Sequence, residues 1–253
     1  MIGKKNKAQL VVALDIDSFE KMRVLVDQLA DVVEIFKVGS QLFTACGPAA
    51  VRFIEARGKK VFLDLKFHDI PNTVGSAVRS AVGLSVALER ATDFHNRTPS
   101  VKKGLFMYSV HTVGGLEMMK EAVAVGTKFA EEIGVNKPLA MGVTVLTSEA
   151  NKGNSVIDLV LERAAVAKKA GLDGVVASAE EAKAIHDKLG KDFLIITPGI
   201  RPLGTDPQDQ KRVATPKIAV KNGSDFLVVG RPIVAAANPH KAAEAILQEM
   251  QSS

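Results

Sequence analysis

The segment VFLDLKFHDIPNT, residues 61–73, sets Asp64 and Lys66 two positions apart, with Asp69 three further on. The apolar residues around the first two read as a strand, in which side chains at i and i+2 share a face. Phe62, Asp64 and Lys66 are expected to point one way, and Val61, Leu63 and Leu65 the other, with neither face solvated. Two readings are open. A structural ion pair rarely adds net stability, because apolar residues of similar volume serve as well or better. Alternatively, two acids around one lysine hold it cationic, poised to neutralise and protonate a carbanion. Asp69, beyond the strand, fits a helix N-cap ahead of IPNT as well as it fits chemistry.

A second constellation is VVGRP, residues 228–232. A backbone amide at Gly230, where a ligand can approach closely, followed by the Arg231 guanidinium, makes a phosphate cradle; the competing reading is a glycine turn with a surface arginine. TPGIRP (197–202) repeats the theme with Arg201, and the polar loop after it, LGTDPQDQKRVATP, has the composition of a lid. His111 in SVHTVGG is better read as a hydrogen-bonded structural group than as a catalyst. No HExxH, CxxC, GxGxxG or Walker A pattern occurs, so cofactor-free and metal-free chemistry leads. Cys46, Met118 and Met119 read as packing residues.

These groups need a frame. Eight short apolar runs recur along the 253 residues: LVVAL (10–14), EIFKV (34–38), VFLDLK (61–66), LFMYSV (105–110), LAMGVTV (139–145), GVVAS (174–178), FLIIT (193–197) and FLVVG (226–230). Amphipathic stretches separate them, such as 18–30 and 155–170, where Val156, Leu159, Val160 and Ala167 mark one helical stripe. A (β/α)8 barrel typically takes about 250 residues and gathers its functional groups at the C-terminal strand ends. The chain follows that rule: Asp15 and Asp17 come after the first run, Lys37 ends the second, and Asp64 and Lys66 end the third. His111 follows the fourth, Thr144 and Thr147 the fifth, Arg201 the seventh, and Gly230 and Arg231 the eighth. Alternating strands and helices also fit a doubly wound sheet, and period alone does not choose.

The composition is 47% hydrophobic and 24% charged with a net charge of +5, ordinary for a globular chain. With no Trp, one Tyr and no basic run beyond GKKNK near the start, nucleic acid is a poor partner. A single cysteine allows no internal disulfide and points to a reducing, cytoplasmic setting. LVVAL is too short and too soon followed by Asp15 for a signal peptide, and no run is long enough to cross a bilayer. No linker or low-complexity segment interrupts residues 1–253, so one barrel domain is expected.

Read together, VALD, FKVG, DLKFHDIPNT, TVLTS, TPGIRP, DQKR and VVGRP occur in the order, and over nearly the whole length, of the bacterial-type orotidine 5'-phosphate decarboxylase family, which this sequence closely resembles. It departs at 84–109, where residues are added before HTVGG. The resemblance implies a homodimeric barrel that converts orotidine 5'-monophosphate to uridine 5'-monophosphate with no metal or cofactor. It makes Lys66 the proton donor beside Asp64, with Asp69 supplied by the partner chain together with Ile70 and Thr73. It assigns Asp15 and Lys37 to the ribose and the charge network, and Thr147 to the pyrimidine edge. The phosphate falls to Arg201, Gln210, Gly230 and Arg231, with Gln210 on a closing loop. One rival is a barrel decarboxylase or aldolase of sugar phosphates, such as 3-keto-gulonate 6-phosphate decarboxylase, which shares Asp-x-Lys-x-x-Asp but uses magnesium; HDIPNT and the TPGIRP to DQKR loop argue against it. Another is a nucleotide-binding module without catalysis, which has no use for the costly triad.

Overall fold

The computed structural model describes residues 8–85, 104–146, 156–202 and 213–252. Its strands are β1 (Gln9–Ala13), β2 (Ile35–Gly39), β3 (Lys60–Phe67), β4 (Met107–His111), β5 (Leu139–Val143), β6 (Gly174–Val176), β7 (Leu194–Thr197) and β8 (Phe226–Val229). They pair in that order, all parallel, and β8 returns to β1 to close the barrel. Each coincides with one of the eight apolar runs. Closure excludes the open doubly wound sheet, which leaves two edges.

Alternation divides each strand between two cores. Val11, Ala13, Ile35, Phe62, Met107, Met141, Ile196, Phe226 and Val228 form an inner cluster. Their neighbours, such as Leu10, Val12, Phe36, Val38, Leu63, Leu227 and Val229, join the larger cluster with the surrounding helices. Two residues past the inner layer, toward the C-terminal ends, stand Asp15, Lys37, Asp64, Ser109, Val143, Pro198 and Gly230. Strand period alone therefore brings widely separated polar groups to one level of one barrel.

Helix signals in the sequence fall where chain direction must reverse. Ser18 caps α1 (Phe19–Leu29) by accepting the Lys21 N–H at 3.3 Å. α2 (Ser40–Cys46) and α3 (Pro48–Ala56) follow β2, and α4 (Pro71–Val82) follows β3 with proline at its first turn. α5 (Gly115–Ile133) packs along α4. α6 (Val156–Lys169) matches the expected helix, but Leu159 is 40% exposed; its buried stripe is Val160, Ala164 and Ala167. α7 (Ala179–Leu189) opens on a capping box between Ser178 and Glu181. α8 (Pro216–Asn222), α9 (Arg231–Val234) and α10 (Pro239–Gln251) complete the described helices. Among the described residues, no helix is long and apolar enough to cross a membrane.

Candidate active site

A run of alternating charges crosses the mouths of the first three strands. Lys37 Nζ lies 2.9 Å from Asp15 Oδ1 and 3.6 Å from Asp64 Oδ2; the same Oδ2 accepts from Lys66 Nζ at 2.8 Å. Asp64 and Lys37 are buried, each 8% exposed, whereas the Lys66 side chain opens toward solvent. Burial alone would push the Asp64 carboxyl up. The ammonium groups of Lys37 and Lys66, with hydrogen bonds from Lys66 and Ser109, outweigh it and hold Asp64 below the usual carboxylate range. Gly39, at the end of β2, leaves the space this array needs: a Cβ there would stand 2.9 Å from Lys37 Nζ and 3.3 Å from Asp15 Oδ1.

Lys66 does not reach the site by simple strand alternation. Its φ is +53°, the only positive value at a non-glycine residue among those described, a conformation costing on the order of 1–2 kcal/mol. The register against β4 runs from Leu63 opposite Tyr108 to Phe67 opposite Val110, so β3 spends four residues where β4 spends two. The bulge holds Asp64, Leu65 and Lys66, and it re-aims the lysine over Asp64. Ser109 of β4, fully buried, accepts the Lys66 N–H at 2.9 Å and donates to Asp64 Oδ1 at 2.8 Å. This serine has no motif in the sequence to mark it. Its only signal was a hydroxyl inside LFMYSV, two residues past an inward-facing Met107.

The charged array lines a cavity of about 480 Å³, with Arg201, Gly230 and Arg231 also on its wall. Val143, Val145, Val176, Ile196 and Val228 supply apolar surface to the same wall. Arg201 is buried; its N–H donates to the Ala214 carbonyl at 2.9 Å and its guanidinium to the Ile200 carbonyl at 3.0 Å. The expectations for Thr147 and Gln210 lie outside the described residues, as does most of the 84–109 stretch. Thr144 is buried, giving its hydroxyl to the Val176 carbonyl at 2.8 Å. His111 Nδ1 accepts the Val113 N–H at 3.5 Å, and its ring lies 5.7 Å from that of His68. Neither Thr144 nor His111 is on the cavity wall.

Asp69 stands apart from Asp64 and Lys66 in its own chain. It is exposed, as are Ile70 and Thr73, and all three are absent from the cavity wall. The buried three-membered triad expected from spacing is therefore not assembled within one chain. Nor is Asp69 the helix cap: that position is Ile70, and the Asp69 carboxylate accepts the Ile70 N–H at 2.6 Å. Among the described residues, no group of three or more His, Cys, Asp or Glu is placed to hold a metal ion. What the cavity can do follows from the charged groups on its wall. A fixed ammonium held by a carboxylate can stabilise and protonate an anion, and a buried and an exposed guanidinium beside a glycine amide can take a phosphate.

Comparison with known proteins agrees with that reading. Residues 8–246 match the sequence profile described as "Orotidine 5'-phosphate decarboxylase / HUMPS family". The chain is 44% identical over 257 residues to the orotidine 5'-phosphate decarboxylase of Geotalea daltonii, covering 99% of each. It is 43% identical over 252 residues to that of Syntrophomonas wolfei, covering 96% of this chain and 98% of the other. The crystal structure of orotidine 5'-phosphate decarboxylase from Lactobacillus acidophilus superposes with a TM-score of 0.77 at 35% identity, over 96% of this chain and 99% of that one.

Proposed function

This chain belongs to the orotidine 5'-phosphate decarboxylase / HUMPS family, and from that premise we infer that it decarboxylates orotidine 5'-monophosphate to uridine 5'-monophosphate in pyrimidine biosynthesis. The observation that carries the residue assignment is that Lys66, paired to buried Asp64, lines the same cavity as Arg201, Gly230 and Arg231. In this proposal the phosphate sits on Arg201, Gly230, Arg231 and Gln210, the ribose on Asp15 and Lys37, and the pyrimidine edge on Thr147. Carbon 6 then faces Lys66.

The bond from carbon 6 to the carboxylate breaks, carbon dioxide leaves, and the electron pair remains on carbon 6 in the ring plane with little delocalisation. An ammonium fixed beside that carbon acts most in the transition state, which is where an interaction raises turnover. Lys66 Nζ delivers its proton to carbon 6, giving uridine 5'-monophosphate, and the neutral amine regains a proton from solvent. Asp64 orients Lys66 and stands where the substrate carboxylate must enter. The phosphate lies far from the breaking bond, so its binding energy serves to enclose the substrate and expel water. No metal or cofactor takes part in this scheme. One barrel domain working in the cytoplasm as a homodimer, with Asp69, Ile70 and Thr73 reaching the neighbour's site, completes the proposal.

The profile's description joins two names, and the sugar-phosphate rival is set aside instead by the names of relatives at 43–44% identity over nearly the full chain. The test is direct: purified protein with orotidine 5'-monophosphate, with and without a chelator, followed by loss of pyrimidine absorbance. Equal conversion in both is expected. Absence of uridine 5'-monophosphate, or activity lost to the chelator and restored by magnesium, overturns the reading.

A further inference from the structure

We propose that Ser109 is a positioning residue for the decarboxylation, holding both partners of the Asp64–Lys66 pair through one hydroxyl. The proposal rests on the decarboxylase reading above. Ser109 faces inward two residues past Met107 at the level of Asp15, Lys37 and Gly230, yet it alone at that level is fully buried and off the cavity wall. Any effect it has on substrate must pass through its neighbours. A hydroxyl has one proton and two lone pairs, and here both functions are used. The proton goes to Asp64 Oδ1 at 2.8 Å, and a lone pair receives the Lys66 N–H at 2.9 Å.

Two consequences follow. With Oδ1 occupied by Ser109, the Asp64 carboxylate turns Oδ2 toward both ammonium groups, at 2.8 Å from Lys66 and 3.6 Å from Lys37. With its N–H received by a side chain of β4, Lys66 is held at φ +53° in the very interval where the β3–β4 register slips. A left-handed residue without glycine persists only where its surroundings over-determine it. Ser109 is the group that does so from the facing strand. Without it, Lys66 Nζ is no longer fixed to the fraction of an ångström that proton delivery requires, while the phosphate contacts are untouched and Lys37 keeps its nearer partner, Asp15 at 2.9 Å.

The experiment compares wild type, Ser109→Ala and Ser109→Thr with orotidine 5'-monophosphate as substrate and uridine 5'-monophosphate as binding probe. For Ser109→Ala, kcat should fall on the order of 10- to 100-fold, with KM and product affinity within about threefold, and Ser109→Thr, which keeps the hydroxyl, should recover most of the loss. A Ser109→Ala enzyme with kcat within about threefold of wild type overturns the proposal. So does a threonine variant no better than alanine, or a fall in binding equal to the fall in kcat. If Ser109→Ala yields no folded protein, Ser109→Cys, with its weak donor, is judged by the same limits on kcat and KM. Should wild type itself leave the substrate unchanged, the decarboxylase reading fails separately. Ser109 is then judged by crystal structures of wild type and Ser109→Ala: loss of the left-handed Lys66 or of its Asp64 contact supports the positioning role, and an unchanged pair overturns it.

Discussion

Asp64 is the residue on which the site's electrostatics turn, because one carboxylate oxygen serves two ammonium groups while the other is tied to Ser109. Its carboxyl is held below its ordinary value of 3.8 by those partners. The stabilisation from its ionisation is therefore fully present above the unfolded value and is lost as pH falls through the lower folded one. Asp64→Asn should destabilise the protein by about 1–3 kcal/mol at pH 7, since buried Lys37 loses one anion but keeps Asp15 at 2.9 Å, and Lys66 is partly open to solvent. Denaturant unfolding of both proteins at pH 7 and again at about pH 3 checks the sign: the gap should narrow at acid pH. Lys66→Ala tests the other half of the pair. Turnover should drop at least about 10³-fold with uridine 5'-monophosphate still binding, read by calorimetry. Lost binding with retained kcat would reverse the assignment.

At the scale of elements, a strand end is defined as much by what it omits as by what it carries. Gly39 terminates β2 in extended conformation, so no left-handed backbone demands glycine there. The demand is steric, and it comes from Lys37 and Asp15. The nearest atom a methyl would meet is the tip of a flexible lysine, which can move aside. Gly39→Ala should therefore melt within a few degrees of wild type yet lose about tenfold or more in kcat/KM; equal activity would show that Lys37 tolerates displacement. The strands themselves were legible because β-branched apolar runs report burial on both faces, a local property. The Lys66 bulge was not, because it depends on register with β4, a partner some forty residues away in sequence, and Ser109 was hidden for the same reason. Leu159 was misplaced because α6 presents a stripe at 160, 164 and 167, and position 159 falls at its margin. For Asp69, spacing placed a third acid near the pair, but the turn into α4 carries it outward.

At the scale of the molecule, that outward turn is what would give a dimer a part in the chemistry. Asp69, Ile70 and Thr73 lie together at the start of α4, outside their own cavity, and Ile70 is 66% exposed, an unusual setting for isoleucine. A two-fold axis here would be isologous, so that each chain lends its segment to the other and two composite sites result. Such composite sites have a consequence that no single-chain site shares. Asp69→Ala and Lys66→Ala homodimers should each be inactive, the first lacking the lent acid and the second the resident lysine. In a heterodimer of the two, one site gathers both defects and the other has neither. Mixing equal amounts under conditions of subunit exchange should restore activity to about one quarter of wild type, from half the dimers carrying one working site of two. Exchange is verified independently by mass spectrometry of differently tagged chains. If heterodimers form and activity stays at the level of the separate variants, Asp69 acts within its own chain, and the exposed segment before α4 has some purpose other than completing a neighbour's site.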